Sequence, residues 1–148
     1  MKVLLQRVVA ANVSIKQEIV GQCGHGLLLL IGFTITDNDS MLSHMANKVV
    51  NLRIFEDDNG KMNLSLLDIK GAILSISQFT LYADASKGRR PSFTDALRPE
   101  LAEPLYNKFN DELRKYGIIV ETGIFGADMK VELINDGPVT IMLDSANI

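Results

Sequence analysis

The sequence predicts an α+β fold in a single domain spanning residues 1–148: a mostly antiparallel or barrel-like sheet with two helices packed against it. Three observations carry that reading. Strand-like runs rich in β-branched and other apolar residues recur along nearly the whole chain, whereas only two segments place apolar residues at helical three- and four-residue spacing. The loops between most runs are too short for the repeated crossovers of a doubly wound sheet. No linker divides the 148 residues, a length that buries about 68–70% of the surface its unfolded form exposes.

Residues 3–9 and 12–15 read as strand, bulge or bend at Ala10-Ala11, then strand, and Gln17-Glu18 turns the chain. Residues 19–23 and 27–33 follow as strands around a turn at Gly24-His25-Gly26. The run Leu27-Leu28-Leu29-Leu30-Ile31 lacks polar alternation, which suits a central strand covered on both faces. Asp37 and Asn38 offer a cap for a helix with apolar positions Met41, Met45, Val49 and Leu52, and with Leu42 and Val50 beside them. Residues 53–56 and 61–64 flank Asp57-Asp58-Asn59-Gly60, where Asn-Gly signals a hairpin and turn chemistry accounts for the paired aspartates better than a metal does.

Residues 72–79 form the next strand. Between 82 and 98 no periodicity holds, and Gly88, Pro91 and polar neighbours predict an ordered loop of functional length. Residues 99–116 read as a helix with Leu101, Leu105, Phe109 and Leu113 on one face, stopped by Gly117. Pro104 has no N–H to give, so the regular helix is expected from near Glu103, with Pro104 in its first turn. Residues 118–122, 129–134 and 139–143 are the last three strands, the final two joined through Gly137-Pro138.

With 47% hydrophobic and 22% charged residues, the chain matches ordinary globular proteins rather than disordered or membrane ones. The apolar run at 27–31 is much too short to cross a bilayer, and the start lacks a signal-peptide pattern, so the expectation is a cytoplasmic protein with no membrane partner. Cys23 is the only cysteine and reads as a small buried strand residue. His25 and His44 are the only histidines, the first in a turn and the second in a helix, which argues against a metal site and against a Ser-His-Asp arrangement. No cofactor or metal is expected. A net charge of −3 argues against wrapping a long nucleic acid, and the one dense basic cluster, Lys87-Gly88-Arg89-Arg90, reads by itself as a solvated loop.

The most informative stretch is Asn135-Asp136-Gly137-Pro138-Val139-Thr140, taken with Ser77-Gln78-Phe79-Thr80-Leu81. Local residues favour an ordinary tight turn at Gly137-Pro138. The other reading is a cis Gly-Pro step that turns two carbonyl oxygens roughly the same way, a main-chain gate able to refuse one enantiomer.

These two motifs together resemble the paired signature of the D-aminoacyl-tRNA deacylases. The resemblance extends through Gln6-Arg7-Val8, Arg53-Ile54-Phe55, Gly60-Lys61-Met62-Asn63-Leu64, Arg90-Pro91-Ser92-Phe93, Thr122-Gly123-Ile124-Phe125 and Ala127-Asp128-Met129, in order and across essentially the whole chain. It implies a homodimer that hydrolyses the ester joining a D-amino acid, or glycine, to the terminal ribose of tRNA. It implies further that Gly137 and Pro138 form a cis pair reaching into the other subunit's active site. Ser77, Gln78, Phe79 and Thr80 would supply the facing catalytic wall, and Phe125 and Met129 would line the pocket for the terminal adenosine.

An aminoacyl ester is already activated and carries a neighbouring 2′-hydroxyl, so orientation and oxyanion donors are its main requirements. Backbone N–H groups near Phe79 and Thr80, at a strand end, are the expected donors. Thr80 has no evident activator and reads as a positioning residue rather than a nucleophile. Lys87, Arg89 and Arg90 are the candidates for phosphate contact with the acceptor end of the tRNA. Two other readings stay open from the residues: a threonine-centred esterase or amidase for small molecules, and a noncatalytic dimeric module that binds nucleic-acid ends or a protein.

Overall fold

The computed structural model describes residues 1–148. Eight strands and two helices follow in the order β1 (Lys2–Ile15), β2 (Glu18–Cys23), β3 (Gly26–Gly32), α1 (Asp39–Asn51), β4 (Phe55–Glu56), β5 (Met62–Leu64), β6 (Ala72–Ser77), α2 (Pro99–Arg114), β7 (Val120–Thr122) and β8 (Lys130–Asp144). Single 3₁₀ turns at Phe79–Tyr82 and Ser145–Asn147 follow β6 and β8.

β1 organises the sheet. β3 and then β2 run in succession along one of its edges, at residues 2–8 and 11–15, while β8 lies along the other edge from Ser14 back to Lys2. Residues 24–25 therefore bend the chain without reversing it, which corrects the turn expected there. From β3 the sheet continues through β6 to β7. The three pairings of β1 are antiparallel and the two beyond β3 are parallel, so the sheet is mixed. Two crossovers make the parallel part: α1 lies between β3 and β6, and α2 between β6 and β7. The sheet then almost closes on itself, because Gly21 of β2 lies against the Thr122 carbonyl of β7 and leaves no room for a Cβ.

This closure explains the apolar run in β3. Leu27, Leu29 and Ile31 pack into the larger core under the helices, while Leu28 joins Val8, Ala11, Val13, Cys23, Leu74 and Ile76 in a second core. Both faces of the strand are covered, as its lack of polar alternation predicts. Burial pushes the Cys23 thiol above its ordinary range, which suits an inert core residue.

Asn38 caps α1 by accepting from the Ser40 N–H, and the buried stripe is Leu42, Met45, Ala46, Val49 and Val50, with Met41 only half-buried. Asp57 accepts from the N–H groups of Asn59 and Lys61 at 2.9 and 3.1 Å in the β4–β5 hairpin, and these bonds hold its carboxyl below the usual carboxylate range. The aspartate pair thus belongs to the turn.

Four further expectations change. β1 is one continuous strand, and its pairing with β8 is irregular at Arg7 and Val9, neither of which has a partner there, rather than at Ala10-Ala11. β6 ends at Ser77, and residues 79–82 form a 3₁₀ turn instead of prolonging the strand. α2 begins at Pro99, whose fixed φ suits the first helical position, and Pro104 lies inside the helix on its exposed side. There the Glu100 carbonyl, deprived of its i+4 donor, can turn to water. The buried face of α2 is Ala102, Tyr106, Phe109, Asn110 and Leu113, while Leu101 is 60% exposed. The fourth change concerns Gly137-Pro138, which reverses nothing. Both flanking segments pair with β1, so one strand of 15 residues runs through the step.

Candidate active site

β6 delivers the Ser77-Gln78-Phe79-Thr80 segment to the end of β3. The Gln78 N–H donates to the Ile31 carbonyl at 2.7 Å, extending the parallel ladder by one bond before the chain turns. Gly32 makes this docking possible, since a Cβ there would stand 2.9 Å from the Gln78 carbonyl oxygen. Phe79 and Thr80 are the first two residues of the 3₁₀ turn, positions whose N–H groups have no partner within a helix. The Lys2 ammonium steadies the turn's far end, donating to the Leu81 carbonyl at 3.3 Å and lying 4.7 Å from the Tyr82 ring centroid.

The Thr80 hydroxyl donates to the Gln78 side-chain oxygen at 2.8 Å. An amide oxygen is not a base, so this contact orients the hydroxyl without activating it. Phe79 is 55% exposed and meets Phe93 edge to face, with centroids 5.1 Å apart.

Ser77, Gln78 and Phe79 form one side of a cleft of about 940 Å³, and Phe125 and Met129 line the same cleft. The structure therefore brings together most of two groups that are about fifty residues apart in the chain; Thr80 stands just beyond the lining. Gly123 gives Met129 its seat, because a Cβ there would collide with the Met129 sulfur. Tyr106 supports Phe125 from α2, with ring centroids 5.9 Å apart. Its hydroxyl donates to the Ser75 carbonyl at 2.7 Å, and burial pushes that hydroxyl above its ordinary range, keeping it neutral.

Among the other lining residues, Phe93 and Arg98 were given no site role by sequence reasoning. Phe93 was marked only by its place in the Arg90-Pro91-Ser92-Phe93 motif, and Arg98 only by standing at the end of an aperiodic loop. Neither histidine lines the cleft: His25 packs edge-on against Phe55, and His44 is exposed on α1.

Gly137 and Pro138 lie elsewhere, in a smaller cleft of about 350 Å³ shared with Arg7, Glu56 and Met62. Gln6 pairs with Thr140 and Val8 with Asn135, so Asp136, Gly137, Pro138 and Val139 all stand opposite the single residue Arg7. Such a surplus forces main chain out of the ladder. The Gly137-Pro138 bond is cis, and Gly137 takes φ +116°, a conformation that L side chains rarely adopt.

Arg7 fills the notch that the bulge leaves. Buried to 5% exposure, it donates from Nη1 to the Ile54 carbonyl at 2.7 Å and from Nε to the Asp136 carbonyl at 3.3 Å, with the Asp136 carboxylate 3.2 Å away. A charged residue in the middle of an apolar strand was the available signal for this role.

Lys87, Arg89 and Arg90 lie in a loop closed by reciprocal backbone bonds between Asp84 and Ser92, at 2.8 and 2.9 Å. All three are exposed, and none lines either cleft. Asp84 accepts from the Ser86 N–H at 2.9 Å, and the Ser86 hydroxyl and N–H hold its carboxyl below the usual range.

A family model described as D-Tyr-tRNA(Tyr) deacylase matches residues 4–144, and the chain belongs to this family of hydrolases. It is 58% identical over 144 residues to a D-aminoacyl-tRNA deacylase of Exiguobacterium sp., covering 97% of this chain and 98% of that one. A D-aminoacyl-tRNA deacylase of Listeria monocytogenes is 59% identical, covering 98% and 96%. Among solved structures, a c-Myc DNA unwinding element binding protein superposes with a TM-score of 0.92 at 42% identity, covering 97% of this chain and 98% of the other. A probable eukaryotic D-amino acid tRNA deacylase shares the fold at 21% identity, with a TM-score of 0.82 and coverage of 96% and 97%. No helix of the chain is long and apolar enough to cross a membrane.

Proposed function

We propose that this chain hydrolyses the ester of D-aminoacyl-tRNA and of glycyl-tRNA, releasing tRNA and the free amino acid, and spares the L-aminoacyl ester. The observation that carries the mechanism is the 3₁₀ turn beside the larger cleft. Its first two N–H groups, at Phe79 and Thr80, are donors without helical partners, next to a cleft that no histidine lines. Such donors stabilise the oxyanion that forms when water attacks the ester carbonyl, and the neighbouring 2′-hydroxyl of the ribose assists. Ser77 and Gln78 hold the turn in place, Thr80 orients through Gln78, and Phe125 and Met129 take the terminal adenosine.

Chirality is set by main chain. The carbonyls of Gly137 and Pro138 hold the substrate amino group, so an L side chain runs into backbone atoms and a D side chain points to solvent. Within one chain these carbonyls open on a different cleft from the one that Ser77, Gln78 and Phe79 line. That separation supports a homodimer in which each Gly-Pro bulge serves the partner's cleft. Ile134 and Met142, 61% and 46% exposed on β8, supply apolar surface near the bulge for that contact. Lys87, Arg89 and Arg90 meet phosphates of the acceptor end, and the protein acts in the cytoplasm, where its substrate is made.

The deciding experiment is single-turnover deacylation of D- and L-tyrosyl-tRNA and glycyl-tRNA. Cleavage of the D and glycyl esters with the L ester intact is expected, and equal cleavage of both enantiomers overturns the reading. The DNA-binding name of one similar structure favours a second reading, a module that binds nucleic-acid ends. Tight binding of D-aminoacyl-tRNA without turnover would establish that reading instead.

A further inference from the structure

The Asn135-to-Thr140 motif contains three polar side chains, and the mechanism above gives no task to Asn135 or Thr140. Nor does it use Gln6, which faces them from β1. We propose that Gln6, Asn135 and Thr140 are positioning residues that aim the Pro138 carbonyl and thereby set how strictly an L-aminoacyl ester is refused; the inference rests on the function proposed above.

A count of hydrogens leads to it. Gln6 has two side-chain N–H donors and two acceptors within reach, the Asn135 oxygen at 3.1 Å and the Thr140 hydroxyl oxygen at 3.2 Å. Asn135 spends its own two donors on main chain, reaching the Arg7 and Val139 carbonyls at 3.0 Å each. Thr140 has a single proton and two acceptors to choose from, the Asn135 oxygen at 3.2 Å and the Pro138 carbonyl at 3.3 Å. The Asn135 oxygen already takes a bond from Gln6, whereas no other side chain serves the Pro138 carbonyl, so the assignment that gives every acceptor a donor sends the Thr140 proton to Pro138. Five donors then meet five acceptors.

The placement matters as much as the count. Of the four residues forced out opposite Arg7, Asp136 is held by Arg7 and Val139 by Asn135. Pro138 is the remaining member whose carbonyl receives a side-chain donor, and that donor is Thr140. A carbonyl has two lone pairs, so the oxygen can take the Thr140 hydroxyl and still accept from a substrate ammonium. The hydroxyl fixes the direction in which the second lone pair points. Without Gln6 the relay turns back on itself: Thr140 gives its proton to Asn135, and Pro138 loses its guide.

The test uses Thr140→Val, which keeps the branched shape and removes the hydroxyl, together with Thr140→Ser, Gln6→Met and the double variant. The readouts are the ratio of kcat/KM for D- and L-tyrosyl-tRNA and the thermal midpoint of each protein. Thr140→Val is expected to lower the D-to-L ratio by about tenfold, the scale of one hydrogen bond, while the midpoint stays near that of the unaltered protein. Thr140→Ser should restore the ratio. Gln6→Met should shift it the same way yet add nothing to Thr140→Val, since it acts through that hydroxyl.

An unchanged ratio in folded Thr140→Val, or additive effects in the double variant, overturns the inference. Should Thr140→Val fail to fold, Gln6→Met with an unaltered ratio overturns it equally. Failure of the underlying function looks different, because the unaltered protein would then show no D preference at all.

Discussion

In the larger cleft, packing sets the walls: Phe79 rests on Phe93, Phe125 on Tyr106, and Met129 fills the space that Gly123 leaves open. In the β8 bulge, polar bonds do that work, with the Arg7 guanidinium bonded to two carbonyls and the Asn135 amide bonded to two more. The first region is a concave receptacle of about 940 Å³, and the second displays main chain beside a cleft of about 350 Å³. A receptacle tolerates modest changes in side-chain shape, since neighbours repack around them. Displayed main chain depends on backbone conformation and on every bond that aims it. Substitutions in the bulge should therefore cost more function per atom changed than substitutions in the cleft.

Gly137→Ala is the sharpest way to break this comparison. A Cβ at Gly137 would stand 2.8 Å from the Val139 nitrogen and 3.2 Å from Arg7 Nη2, at a positive φ. Strain of that kind costs about 1–3 kcal/mol, so deacylation should fall by about 5- to 150-fold. Mixing Gly137→Ala with Phe79→Ala, a cleft-wall variant, then tests the dimer directly. If the bulge serves the partner's cleft, random pairing leaves about a quarter of sites with both regions intact, and activity reappears on mixing. Activity that stays at the level of the separate variants would show each chain using its own bulge.

Thr80→Val probes the cleft more gently. In the proposed mechanism its hydroxyl, bonded to the Gln78 side chain, only orients, so the single-turnover rate should drop by less than about tenfold, within the range of one modest hydrogen bond. A covalent acyl-Thr80 species trapped at low pH would show instead that the hydroxyl attacks the ester. The smallest effect is expected from the loop that belongs to neither region. Neutralising Lys87, Arg89 and Arg90 one at a time should raise KM modestly, leave the D-to-L ratio unchanged, and flatten the dependence of log affinity on log salt by about 0.7–0.9 per charge. A changed ratio would place the loop in the chiral gate.

Some of this was readable from residues alone because it depends on near neighbours in the chain. The Asn38 cap, the Asp57-Asp58-Asn59-Gly60 hairpin and the stop at Gly117 are local chemistry, and all three stand where they were expected. The start of α2 was misjudged for a related reason. Proline penalties are counted locally, yet the buried row from Ala102 to Leu113 holds the helix together through Pro104. The family was also readable, through the order and spacing of many weak signals.

What the sequence determined by itself was thus most of the element types, the two-faced burial of β3 and the family to which the chain belongs. Only the tertiary structure decided that Gly137-Pro138 bulges out of a continuous strand instead of closing a turn, that Arg7 stands alone opposite four residues, and that the two motifs open on different clefts. The physical reason is register. Which residue of β1 faces which residue of β8 is a pairing across some 130 positions of chain, fixed by burying both faces of a nearly closed sheet at once, and no local pattern carries it.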